Sequence, residues 1–91
     1  MPITGQNTMA VGGTAEPLGA GRVDGPLLVK ALPGNSNPMY VGNTGGDVDS
    51  TNGYPLSANQ EIRYEYVRDL ADIMIDGTTG EGVAWAILIL N

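Results

Sequence analysis

The sequence predicts an all-β domain: a small antiparallel β-sandwich, jelly-roll-like, with long Gly-rich loops. Three observations point there. Fourteen Gly, six Pro and several Asn cut the chain into short pieces. No breaker-free stretch places apolar residues at i, i+3, i+4 and i+7, as a core-facing helix would require. The pieces between breakers are short, alternating or apolar runs, separated by turn residues about every 8 to 12 positions, the rhythm of a sandwich or barrel that hides one side of its sheet. A jelly-roll order is preferred to an immunoglobulin-like one, although strand order is not fixed by a single sequence.

The elements follow in order. Residues 1–10, MPITGQNTMA, read as an N-terminal arm or a first strand, with NTMAV as the strand candidate, and residues 11–91 as a single sandwich domain. GGTAEPLGAGRVDG is a long Gly-rich connection. PLLVKAL, 26–32, is a Leu-rich and β-branched run that PGNSNP stops, and PMYVG, 38–42, resumes it; the two read as a hairpin. EIRYEYV, 61–67, alternates: Ile62, Tyr64 and Tyr66 point to the core, Glu61, Arg63 and Glu65 to water. RDLAD offers one helical turn. DIMID, 72–76, is then expected to pair with the closing strand across the loop GTTGEG.

The closing strand, GVAWAILILN, is unusual because both of its sides are apolar. Val83, Trp85, Ile87 and Ile89 fall on one side, and Ala84, Ala86, Leu88 and Leu90 on the other. The run from Val83 to Leu90 is far shorter than the about 20 residues of a spanning helix. One side must close the core. The other needs a cover, either a loop of the chain itself or another protein.

Size and charge narrow the partners. A domain of 91 residues hides only about 60 to 65% of its unfolded surface, so two layers are the ceiling and the core is thin. Ten acidic residues against four basic ones give a net charge of −6. Lys30, Arg22, Arg63 and Arg68 are scattered, so neither nucleic acid nor an anionic membrane is an expected partner. The N-terminus lacks the basic and apolar regions of a secretory signal, and synthesis and folding in a cytosol are expected.

Catalysis is not expected. The chain has no Cys and no His, which removes Ser-His-Asp and Cys-His nucleophilic sets and the common transition-metal ligands. IMIDGTTG loosely resembles the strand-then-Asp signature of retroviral-type aspartic proteinases. That motif needs Asp-Thr-Gly or Asp-Ser-Gly, however, and this chain has Asp76-Gly77-Thr78, a common turn signal. GGDVDSTNG, 45–53, resembles a calcium loop through Asp47, Asp49 and Asn52, but Thr51 and Asn52 stand where an EF-hand asks for an acid or amide and for Gly, and Ala58 takes the place of the closing Glu. A solvated turn is the expected reading, with no metal and no cofactor. Tyr54, beside turn residues, is the best candidate for stacking on a sugar ring, whereas Tyr64, Tyr66 and Trp85 are placed for core or interface roles.

The succession TMAVGGTAEPLGAG, PLLVKALPGNSNPMYVG, DVDSTNGYPLSANQEI, DLADIMIDGTTGEGVAWAIL resembles a family of small β-sandwich virion proteins of tailed bacteriophages, the capsid decoration or cement proteins and related head or fibre modules. The likeness covers most of residues 8 to 90 and rests on the Asn-and-Pro turn before Tyr40-Val41-Gly42, the Asn52-Gly53-Tyr54-Pro55-Leu56 loop before Glu61, and the Asp69-Leu70 link. Asn59-Gln60 stand where many relatives have Gly, which implies a wider turn. The resemblance implies a non-enzymatic structural role on the capsid exterior, after assembly in the bacterial host cytoplasm. Its implied partners are the major capsid protein and further copies of the chain, a trimer being preferred slightly over a dimer. Ala84, Ala86, Leu88 and Leu90, with Met1, Pro2 and Ile3 of the arm, are the expected subunit or capsid contacts. The alternative from another class is a carbohydrate-binding or adhesive module on a virion head fibre, neck or tail, with Tyr54 as its sugar contact.

Overall fold

In the computed structural model the described residues are 3–42 and 48–88. They form eight strands: β1 (Thr4–Thr8), β2 (Glu16–Pro17), β3 (Arg22–Ala31), β4 (Met39–Gly42), β5 (Tyr54–Leu56), β6 (Glu61–Asp69), β7 (Met74–Asp76) and β8 (Gly82–Ile87). A single 3-10 turn, Leu70–Asp72, joins β6 to β7, with the Asp69 carboxylate accepting from the Ala71 N–H at its start. All pairings are antiparallel. The sheets have orders β1-β8-β3-β6 and β2-β7-β4-β5, the interleaved double Greek key of a jelly roll.

Period-two alternation builds the core. In β3 every second residue from Val23 to Ala31 is buried, and Val83, Trp85 and Ile87 do the same in β8. Met39 and Val41 of β4, Leu56 of β5 and Ile75 of β7 face them from the second sheet. Leu18, Leu70 and Met9 close the ends of the sandwich. Leu27, Val29, Met39 and Ile75 are fully buried, so the two sheets touch through contiguous aliphatic contacts.

Two expected pairings are corrected. The 26–32 and 38–42 segments are not a hairpin, because β3 lies in the first sheet and β4 in the second. The edge of β3 that a hairpin partner would take is occupied by β8. The turn between them crosses the sandwich and is pinned to the β7–β8 loop: the Glu81 carboxylate accepts from the Ser36 and Asn37 N–H groups, and the Asn35 amide donates to the Gly82 carbonyl. Crossing lets Val29 and Met39 face one core from opposite sides. Likewise β7 and β8 do not pair; β7 sits between β2 and β4, and β8 between β1 and β3.

A third correction concerns Tyr66. Pro26 sits in β3 between β8 and β6, where its missing N–H cannot serve the ladder. Register shifts at this point, so that Glu65 and Tyr66 together oppose Pro26 between the pairs Leu27↔Tyr64 and Gly25↔Val67. The bulge turns Tyr66 out of the core, leaving it 65% exposed, while Ile62 and Tyr64 stay packed against the core. Its hydroxyl donates to Asp24. Asp24 has a left-handed φ of 49 and also accepts from both ends of the Arg22 guanidinium; chiefly that hydrogen bond holds its carboxyl below the usual aspartate range.

The opening segment is strand from Thr4 to Thr8, in register with β8 from Ala86 back to Gly82. The segment expected as one Gly-rich connection contains the short strand β2 and the first residues of β3.

Candidate interaction surface

With Val83, Trp85 and Ile87 turned inward, the other side of β8 lies on the outer face of its sheet. Register defines the rows there. Gln6, Ala84, Lys30 and Glu61 run across the four strands in one row, and Thr4, Ala86, Leu28 and Arg63 in the next. Leu88, 39% exposed, continues the stripe beyond β8, its N–H donating to the Pro26 carbonyl. Because Ala84 and Ala86 have short side chains between longer neighbours on β1 and β3, the face is hollowed into an open trough of about 310 Å³. Its floor is alanine methyls and backbone. Leu28 and Lys30 form one wall, Thr4 and Gln6 the other.

The expected contact residues therefore divide. Ala84, Ala86 and Leu88 share this outer face, and Ala84 and Ala86 are half-buried by the trough. Ile3 lies at the start of β1, where its carbonyl accepts from the Ile87 N–H, and is 44% exposed. Met1, Pro2 and Leu90 lie outside the described residues, as does Ile89. Leu28, Thr4 and Gln6 were not among the expected contacts. Strand period sets Leu28 and Lys30 on the side of PLLVKAL opposite Leu27 and Val29, a signal the sequence carries within what reads only as an apolar run; the neighbour relation of β1, β8 and β3 is not in the sequence pattern.

Tyr54 occupies a different place. It opens β5, is 58% exposed, and lines a cleft of about 430 Å³ on the open side of the sandwich with Tyr64, Asn52 and Asp72. Burial raises the Tyr64 phenol above its ordinary pKa. Two phenol rings beside an amide and a carboxylate can stack on a sugar ring and hydrogen bond its hydroxyls.

The two motif-like segments are local structure. The Asp76 side chain is buried, and its Oδ1 accepts from the Gly77 N–H at 2.8 Å and the Gly13 N–H at 3.0 Å. It thereby fastens the β1–β2 connection to the end of β7. The turn continues through the Glu81 N–H to the Thr78 carbonyl. In the second segment, Asp49 Oδ1 accepts from the Thr51 hydroxyl and N–H and the Asn52 N–H. The Thr51 hydroxyl is the main reason that its carboxyl lies below the ordinary range. Gly45 to Asp47 of this segment lie outside the described residues.

No family model, no curated protein and no solved structure matches the chain.

Proposed function

We propose that the protein is a structural virion protein that decorates and cements the capsid of a tailed bacteriophage through protein–protein contacts. One observation carries this reading: the apolar stripe of Ala84, Ala86, Leu28 and Leu88 lies outside a sandwich whose inner face is already filled. The trough lets another backbone approach closely over the alanines, and the leucines supply apolar area at about 25 cal/mol per Å² buried. The segment order that resembles the phage decoration proteins supports the same reading, and jelly rolls serve as viral capsid and lectin domains. In this role the protein sits on the capsid exterior after assembly in the bacterial cytoplasm, touching the major capsid protein and copies of itself. It binds the expanded shell and not its precursor, and so stabilises that state by mass action, with no chemistry and no cofactor. Capsids assembled without the protein should rupture at lower temperature and milder osmotic shock than decorated ones, and adding it back should restore both. Equal rupture would contradict the proposal.

A second reading is favoured by the cleft between Tyr54 and Tyr64: a carbohydrate-binding, adhesive module on a head fibre, neck or tail. It predicts glycan binding that Tyr54→Ala abolishes.

A further inference from the structure

A sandwich has four edge strands, and three of these carry the usual protection against pairing with another chain. The strand β2 has two residues, one of them Pro17. The strand β5 has three, with Pro55 in the middle. The strand β6 is long, but Glu61, Arg63, Glu65 and Arg68 line it and a bulge breaks it. The remaining edge, β1, is Thr4-Gly5-Gln6-Asn7-Thr8, with no charge, no proline and an unbroken register against β8.

The hydrogen bonds at its two ends define what this edge presents. The Ile87 N–H donates to the Ile3 carbonyl, and the Met9 N–H to the Glu81 carbonyl. Hydrogen-bonded pairs alternate along an antiparallel ladder, so Gly5 and Asn7 direct their backbone groups to β8. Thr4, Gln6 and Thr8 direct theirs to the open side, where no hydrogen bond from another described residue meets them.

We infer that this edge pairs with the β1 edge of a second copy of the chain, antiparallel about a two-fold axis at Gln6. In that register Gln6 meets Gln6 of the other copy, and Thr4 meets its Thr8. All the paired residues are the outward-directed ones. Each of the three pairs exchanges two bonds, giving about six backbone hydrogen bonds and one continuous eight-stranded sheet. The outward-directed residues Thr4, Gln6 and Thr8 are the same read from either end: a Gln at the centre, whose amide both donates and accepts, flanked by Thr, a residue that pairs well across strands. Two molecules of net charge −6 meet here along an uncharged strip, with the rest of their charge screened over about 8 to 10 Å of solution. The contact is isologous and closes at two copies, unlike the trimer that the family resemblance implies. It also places the two Ala84–Ala86 troughs on one surface. The inference is independent of the virion role.

Sedimentation equilibrium of the full chain, from about 1 to 200 µM, with backbone amide exchange at both ends of that range, tests it. Twice the 9.4 kDa chain mass is expected, with the Gln6 amide exchanging more slowly as concentration rises. Gln6→Lys sets two like charges directly opposite each other at the axis and should weaken the dimer at least tenfold while leaving the circular dichroism unchanged. Thr8→Lys, nearer the strand end, should weaken it as well and serves if the first variant does not fold. A monomer or trimer throughout the range, a dimer with concentration-independent Gln6 exchange, or a dimer indifferent to the lysines would overturn the inference.

Discussion

Gly5 is the position where a single methyl group tests the packing of this sandwich. It lies opposite Trp85 in the β1–β8 ladder, on the inward side of the edge strand, and the indole spreads beneath it. A Cβ built on Gly5 would stand 2.5 Å from Trp85 Cζ2 and 2.7 Å from Cε2. Those are atoms of a rigid ring that is itself 91% buried, its exposure being 9%, so the strand must lift or the ring must tilt into the core. Overpacking of this kind costs about 1 to 3 kcal/mol. Ala stiffens the unfolded chain relative to Gly and returns about 0.5 to 1 kcal/mol. Gly5→Ala should therefore destabilise by about 1 to 2 kcal/mol, lowering the melting temperature by roughly 5 to 15 °C in a domain of this size. Urea unfolding at one fixed protein concentration, for wild type, Gly5→Ala, Trp85→Leu and the double variant, provides the assay. Trp85→Leu is costly by itself, but it makes room, so Gly5→Ala should cost less than about 0.5 kcal/mol in its presence. A Gly5→Ala cost that is negligible in wild type, or equal in both backgrounds, would refute the packing described for β1.

Other outcomes follow from the same contacts. Leu27 is fully buried at the centre of the core, and Leu27→Ala should cost about 2 to 5 kcal/mol in the same unfolding assay. Asp76→Ala removes the acceptor of the Gly13 and Gly77 N–H groups and should cost about 2 to 4 kcal/mol, with Asp76→Asn losing distinctly less because a neutral oxygen can still accept; proteolysis should then cut first near Gly13. The Asp49 carboxyl should titrate below its ordinary 3.8 in an NMR pH series, and Thr51→Ala should raise the midpoint. A carboxyl depressed in the fold adds stability above its unfolded pKa and loses it as pH falls through the folded value. The contribution of this exposed turn is therefore present above about pH 4 and fades below it, and it is smaller in the alanine variant, where only the N–H groups of residue 51 and Asn52 still donate.

How far the sequence could be read differs from element to element. Strand existence was legible in two ways: β6 announces itself by alternation against water, and β3 and β8 by short apolar runs bounded by turn residues. The two-sided apolarity of the closing strand correctly separated Val83 and Trp85 from Ala84 and Ala86. Sheet membership was hidden, because an antiparallel neighbour in sequence and a crossover to the facing sheet demand the same apolar pattern on the inner side. Only β8 taking the free edge of β3 decides between them, and that is a contact over more than fifty positions of the chain. Tyr66 was misplaced for a local reason that could have been read: Pro26 in an interior strand forces a bulge opposite it. The trough was half legible. Its alanine floor was legible in the closing strand, but Leu28 was lost within an apolar run, and the wall made by Thr4 and Gln6 depends on β1 pairing with β8, where TGQNT carries little strand signal of its own.

What covers the outer face of β8 decides the role of this protein. A cryo-EM reconstruction of capsids mixed with the purified protein answers this most directly, with the Ala86→Lys variant alongside. We expect density for the sandwich on the shell, with Ala84, Ala86 and Leu28 buried against protein, and at least tenfold lower occupancy for the variant, equivalent to about 1.4 kcal/mol. Bare shells, or shells decorated with that face turned to solvent and equally well by the variant, would contradict it.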